Sequence, residues 1–305
     1  MQGDTLRRPV IAFGSAITRP EVYARSAEPG IRRAAEPESE VYAQPSNGSI
    51  FSNYNALLDR AARRDDIEAL VLVHQDAEIV DADFCRTVRA ALSDPAVGLV
   101  GCAGAIGVRS IAWWEASVTL ASFINRYDEH GGGDLAAFSW GWDEAPAYAR
   151  TGEVETLDGF VLVVSPWVVR NIRFDESLGE FHGYDLDFCL QVREAGRKVV
   201  TADFRAIHHR PLQMLPDPES WIAAHVAVAE KWDGRMPGIG AEPGSWRERA
   251  LRAEAERDIA RAMAHSKALE LEARVRAARH AIAETRGSLS WRITAPFRRS
   301  ARSPT

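Results

Sequence analysis

Cysteine is scarce in this chain. Only Cys85, Cys102 and Cys189 occur in 305 residues. They are widely spaced and odd in number, so they form neither a disulfide framework nor a cysteine metal site, which suits a reducing cytoplasm. A basic surplus is also missing. Thirty-seven Lys and Arg against 43 Asp and Glu give a formal charge of −6, which excludes the basic footprint of a nucleic-acid-binding protein. Long apolar runs are absent too. The longest, Phe160–Val169, is interrupted by Ser165 and Pro166 and is too short to cross a bilayer. The first residues, MQGDTLRRPV, lack the basic-then-apolar pattern of a leader peptide. The expectation is a soluble, cytoplasmic protein, attached at most to a membrane surface.

What remains is an ordinary apolar share, 46%, enough for a sizeable core. Val10–Ile17 reads as a first strand, followed by Thr18, Pro20 and Glu21 as helix-start signals. Glu40–Ala43 reads as a short strand, and Asn47 marks a polar turn before a helix from Ile50 to Arg63. Leu70–Val73 is a buried strand, Ala82–Leu92 a helix and Val97–Ile106 another buried strand. Strands alternating with helices predict an α/β fold with a mostly parallel sheet covered on both faces.

The stretch ALVLVHQDAEIV (Ala69–Val80) runs a buried strand directly into Asp76 and Glu78. Such strand ends are where open α/β sheets bind ligands. Two hard oxygen ligands there suit Mg²⁺ or Mn²⁺, and through it a diphosphate; the alternative is a solvated acidic loop. From Gly107 to Glu153 the pattern turns irregular, with Trp113, Trp114, Trp140 and Trp142 available to pack a core or to stack on sugar rings. Glu153–Val164 resumes strand character, broken at Asp158–Gly159, where the acid either faces a pocket or caps a turn. Asp185 and Asp187 open a helix, and residues two apart do not share a helical face. They must therefore have different partners. The helix dipole favours both charges and is expected to keep Asp185 ionised. Lys198–Ile207 is a strand ended by His208 and His209, which point to opposite faces. Trp221–Trp232 reads as a helix packing back on the domain. Residues 234–245 are the best linker, and 246–286 are rich in Ala, Arg, Glu and Leu, a long helix with an imperfect coiled-coil pattern. The last stretch, 287–305, is basic and aromatic.

In their order and spacing, His74-Gln75-Asp76, Leu157-Asp158-Gly159, the segment Phe181–Asp187 (FHGYDLD), Ile207-His208-His209 and Lys231-Trp232 carry a resemblance. With the Asn47 and Asn55 pair, they resemble bacterial nucleotide-sugar-dependent glycosyltransferases of the GT-A fold, close to the family 2 inverting group, over about residues 8–233. The resemblance implies a catalytic domain at 1–233. Asp185 would be the general base, Asp76, Glu78 and His208 the ligands of a divalent metal, and Asp158, Gly159, Asn55, Asp187 and His182 contacts to donor or acceptor. It further implies a nucleotide-diphosphate sugar donor and a glycan or lipid-linked acceptor in bacterial surface polysaccharide assembly. Two positions depart from the pattern: Glu78 stands where a second aspartate is usual, and Tyr184 where an acid commonly precedes the base. The tail GSLSWRITAPFRR (Gly287–Arg299) is similar to endings that follow helical extensions in polysaccharide-assembling transferases. From Arg286 onward it holds five arginines and no acid, suited to peripheral contact with the inner face of the plasma membrane. The long helix offers a seam for a homodimer. Two rivals stand beside this reading. One is a non-catalytic GT-A-like scaffold; the other is a sugar nucleotidyltransferase, which normally needs a Gly-rich phosphate loop that FGSAIT (Phe13–Thr18) matches poorly.

Overall fold

A computed structural model describes residues 9–116, 118–121, 123–127, 133–135, 151–210, 217–233, 235 and 246–287. The chain divides into two compact units, Met1–Ala241 and Glu242–Thr305. The first unit opens with β1 (Val10–Ile17), α1 (Pro20–Arg25), α2 (Ala27–Ala34), β2 (Val41–Pro45), α3 (Ile50–Ala62) and β3 (Ile67–Val73). Then come β4 (Ala77–Ile79), α4 (Phe84–Ala91), β5 (Val97–Gly101), β6 (Ala103–Ile106), β7 (Val118–Ala121), β8 (Phe123–Tyr127) and β9 (Gly133–Leu135). It continues through β10 (Glu153–Val154), β11 (Thr156–Leu157), β12 (Val161–Val164), α5 (Pro166–Asn171), α6 (Tyr184–Glu194), β13 (Lys198–Thr201), β14 (Ala206–Arg210) and α7 (Pro218–Lys231).

Among the described residues the main sheet has seven strands in the order β10-β13-β5-β12-β3-β1-β2. Pairs β1–β2, β1–β3 and β5–β13 are parallel, whereas β12 enters antiparallel between β3 and β5. Helices cover this sheet, so its central strands are apolar on both faces. Leu70–Val73 and Val161–Val164 are fully buried. At the edge, β2 alternates exposed Val41 with buried Tyr42. The predicted α/β class is the one observed.

Three predicted strands are cut where the chain changes sheets. Val97–Ile106 breaks at Cys102, so that β6 leaves the main sheet to pair with β11 and β7. Glycine makes the crossover sterically feasible: a Cβ on Gly104 would lie 2.6 Å from the Thr156 carbonyl oxygen. Glu153–Val164 becomes β10, β11 and β12, with a turn at Asp158–Gly159. Lys198–Ile207 divides into β13, in the main sheet, and β14, in a four-stranded sheet ordered β4-β14-β8-β9. Apolar runs report burial but not which sheet buries them. Hence the sequence pattern merged these pieces.

The pairing of β14 with β4 sets His208 opposite Ala77 and Ile207 opposite Glu78. On the other side β4 is pressed by α2, where a Cβ on Gly30 would fall 2.5 Å from the Ile79 nitrogen. The expected linker lies outside the described residues except for Arg235, as do Trp140, Trp142 and residues 288–305.

The second unit contains α8 (Trp246–Gly287), 42 residues long, which spans about 63 Å at 1.5 Å per residue. Ile259, Met263, Leu269, Leu271, Val275 and Ile282 are all exposed on it. No helix among the described residues is long and apolar enough to cross a membrane.

The α2–β4 contact yields a prediction. Gly30→Ala should destabilise the domain by about 1–3 kcal/mol in denaturant unfolding, because the new methyl meets backbone. An open helix position would gain about 1 kcal/mol from the same change, so the sign of the shift reports the contact.

Candidate active site

The main sheet brings β3 to an end at Val73. The His74 N–H still donates to the Phe160 carbonyl at 2.9 Å, after which a turn closes with Ala77 N–H on the His74 carbonyl at 3.0 Å. Gln75 fastens this turn to the end of β1. Its Oε1 accepts from the N–H groups of Thr18 (3.0 Å) and Arg19 (2.8 Å), and its Nε2 donates to Thr18 Oγ1 at 2.7 Å. The Asp76 carbonyl accepts from His209 N–H at 2.8 Å, so β14 fixes the other side.

Within this frame Asp76 Oδ1 lies 3.6 Å from His208 Nε2 and 3.9 Å from His74 Nδ1. Ligand atoms of His74, Asp76 and His208 all fall within 4.8 Å of one another. These separations are too long for hydrogen bonds, yet close to the roughly 3–3.5 Å expected between atoms that share an ion at about 2.1 Å. The His208 ring stacks on Phe160 at 4.5 Å and 8°, and its Nδ1 is buried without a hydrogen-bond partner. Burial alone would raise the Asp76 carboxyl. The neighbouring imidazoles, His208 first and then His74, outweigh it and hold the group well below the usual carboxylate range. An ionised carboxylate between two imidazoles fits a divalent cation.

The structure places Glu78 elsewhere. Its Oε2 meets His209 Nε2 at 3.0 Å and its Oε1 accepts from Arg33 Nη1 at 3.2 Å. Asp76 lies in the turn before β4, so it does not share the strand alternation that directs Glu78. The two adjacent histidines divide accordingly, His208 toward Asp76 and His209 toward Glu78. Expected as a ligand, Glu78 is already engaged, and His74 stands in the cluster instead. The HQD motif contained His74, but nothing local distinguished it from a residue that merely ends a strand.

Asp185 sits at the start of α6, where Gly183 adopts φ +79° at the N-cap. Its Oδ2 accepts from Gly159 N–H at 3.3 Å and its Oδ1 from Leu186 N–H at 2.9 Å. Burial, then the charge of Asp158, push this carboxyl up to about 7. The expectation of a firmly ionised group is corrected: desolvation and a like charge outweigh the dipole. Asp158 itself accepts from Phe160 N–H at 3.2 Å, capping the turn. A Cβ on Gly159 would lie 2.0 Å from the Tyr184 hydroxyl, so any side chain there displaces that ring. His182 is half-buried against Phe181, and burial lowers its pKa.

Two further expected contact residues serve the scaffold. Asn55 clamps the segment before α6. It accepts from Phe174 N–H at 2.8 Å, and its Nδ2 donates to the Phe174 carbonyl at 2.9 Å and to Glu176 Oε1 at 2.8 Å. Asp187 is fully buried. It accepts from Trp232 Nε1 (2.8 Å), Lys231 Nζ (2.7 Å) and Gln191 Nε2 (2.7 Å), tying α6 to α7 and pointing away from the Asp185 side.

A mostly parallel sheet with acid- and histidine-bearing strand ends defines the class. Residues 30–225 match the family described as "Glycosyltransferase like family", and the chain belongs to that family. Among relatives, it is 30% identical over 201 residues to the streptomycin biosynthesis protein StrF of Streptomyces griseus, covering 66% of each chain. It is 27% identical over 193 residues to the O-antigen biosynthesis protein RfbC of Myxococcus xanthus, covering 60% of this chain and 14% of that one. The match thus spans only part of both relatives. Among solved structures, the mannosyltransferase PcManGT of Pyrobaculum calidifontis, in complex with GDP-Man and Mn²⁺, aligns at 13% identity and a TM-score of 0.42, over 82% of this chain and 80% of that one.

If Asp187 is an anchor, Asp187→Ala should lower unfolding stability by about 3 kcal/mol, the low end for a broken buried pair because Lys231 can reach water. A loss below about 0.5 kcal/mol in urea titration would contradict that role.

Proposed function

We propose that the chain is an inverting glycosyltransferase. It would move a sugar from a nucleotide-diphosphate donor to a hydroxyl of a glycan or lipid-linked acceptor. One observation carries the reading: a half-buried carboxylate poised near neutrality, Asp185, stands on the helix whose first residue, Tyr184, touches the His74–Asp76–His208 cluster at 2.6 Å. A Mg²⁺ or Mn²⁺ ion bound by those three residues would supply Lewis-acid neutralisation of the departing diphosphate.

The protein's own groups do the rest. Asp185 accepts the proton of the acceptor hydroxyl as the oxygen bonds to the anomeric carbon and the bond to the diphosphate breaks on the opposite face. Attack from that face inverts the configuration. A base with pKa near the working pH suits proton transfer that accompanies bond formation. Asp158 raises the affinity of Asp185 for that proton, and it borders the sugar together with Gly159 and His182. The RfbC relative supports a polysaccharide setting. The basic tail would hold the enzyme at the inner face of the plasma membrane, and α8 would pair two copies. A scaffold without activity would have no use for a carboxylate kept near neutral pH.

The test is Asp185→Asn. Transfer should fall by at least about 100-fold, the lower range for a general base, while donor binding survives in calorimetry. In the parent enzyme kcat/KM should decline on the acid side of about pH 7, because protonated Asp185 cannot accept a proton. Near-normal turnover in the Asn variant would refute the assignment.

A further inference from the structure

A residue of the HQD motif and one departure from the family pattern meet in space. His74, the first residue of HQD, and Tyr184, which replaces the usual acid before Asp185, are 110 positions apart, yet His74 Nε2 and the Tyr184 hydroxyl are 2.6 Å apart. At the other end of the same imidazole, Nδ1 faces Asp76. We propose that Tyr184 is a positioning residue for the metal site: its hydroxyl accepts from His74 Nε2–H, fixing the tautomer that leaves the Nδ1 lone pair for the divalent ion. This rests on the metal-site reading given above and adds to it a residue that acts through His74.

The chemistry points one way. An imidazole that binds an ion through Nδ1 carries its proton on Nε2 and needs an acceptor there, and partners of this kind set ring orientation and ligand basicity. The phenol is buried, lies 2.6 Å from Nε2, and its oxygen can accept as well as donate.

The ring itself is held fast. Phe51 and Tyr54 meet it edge-on at 6.2 and 5.7 Å, and Phe174 lies at 6.0 Å. Gly159 leaves room for the hydroxyl, since a Cβ there would lie 2.0 Å from it. An aspartate or glutamate in place of Tyr184 would fill neither the aromatic pocket nor this slot. The histidine and the tyrosine therefore form one device, and it couples the cation to the helix that carries the base.

The experiment is Mn²⁺ titration, followed by calorimetry and by electron paramagnetic resonance, with Mn²⁺ alone and with UDP or GDP present. It uses the whole 305-residue chain as parent, with Tyr184→Phe, His74→Ala and the double variant. Tyr184→Phe keeps the packed ring and removes only the oxygen, and circular dichroism verifies its fold. Expected is a 10- to 100-fold weaker Mn²⁺ affinity for Tyr184→Phe, the range for loss of such a partner. No further loss is expected when the change is added to His74→Ala. If Tyr184→Phe binds Mn²⁺ within twofold of the parent while His74→Ala weakens it, the Tyr184 role is overturned and the metal site stands. If the two losses multiply, the tyrosine acts on stability alone and the proposal fails. Should the parent bind no Mn²⁺ under either condition, the metal-site reading falls and takes the proposal with it.

Discussion

The proposed site depends on a single carboxylate held at the end of a buried strand. Placing Asp76 where β3 leaves the core costs solvation, and an isolated charge there would protonate. The fold answers with two imidazoles, His74 from the same turn and His208 from β14. Both must arrive from precise backbone positions, which explains the effort spent on the surrounding scaffold. Gln75 ties the turn to β1, His209 N–H holds the Asp76 carbonyl, and α2 presses β4 into place through Gly30. Arg33 and His209 meanwhile engage Glu78, removing a second carboxylate from the cluster.

The same economy governs α6. Two aspartates two residues apart have opposite assignments. Asp187 turns inward to Lys231 and Trp232 and locks the helix against α7, while Asp185 stays beside Gly159 with its proton affinity raised by burial and Asp158. An anchored helix keeps Asp185 at a constant distance from the sheet edge, which the role of base proposed for it would need.

Much of this was legible in the residues. Continuous apolar runs at Leu70–Val73 and Val161–Val164, alternating with helical periods, identify a covered, mostly parallel sheet. The HQD and FHGYDLD segments direct attention to the strand end and helix start that carry the proposed site. The spacing of Asp185 and Asp187 already requires that they part company. What the sequence could not reveal were the partners of polar groups, because those partners are far away in the chain. Asn55 meets Phe174 across 119 positions, Asp187 meets Trp232 across 45, and Glu78 meets Arg33 across 45. Each looked like a ligand contact until the fold supplied a protein atom in its place. His74 was missed for the reverse reason: a histidine at a strand end acquires meaning only when His208 arrives from β14.

The most direct test of this account is a crystal structure of the chain soaked with Mn²⁺ and a nucleoside diphosphate, recorded at the manganese absorption edge. The account predicts one anomalous peak bounded by His74, Asp76 and His208, with Glu78 still paired to Arg33 and His209. A peak ligated by Glu78, or none near Asp76, would contradict it.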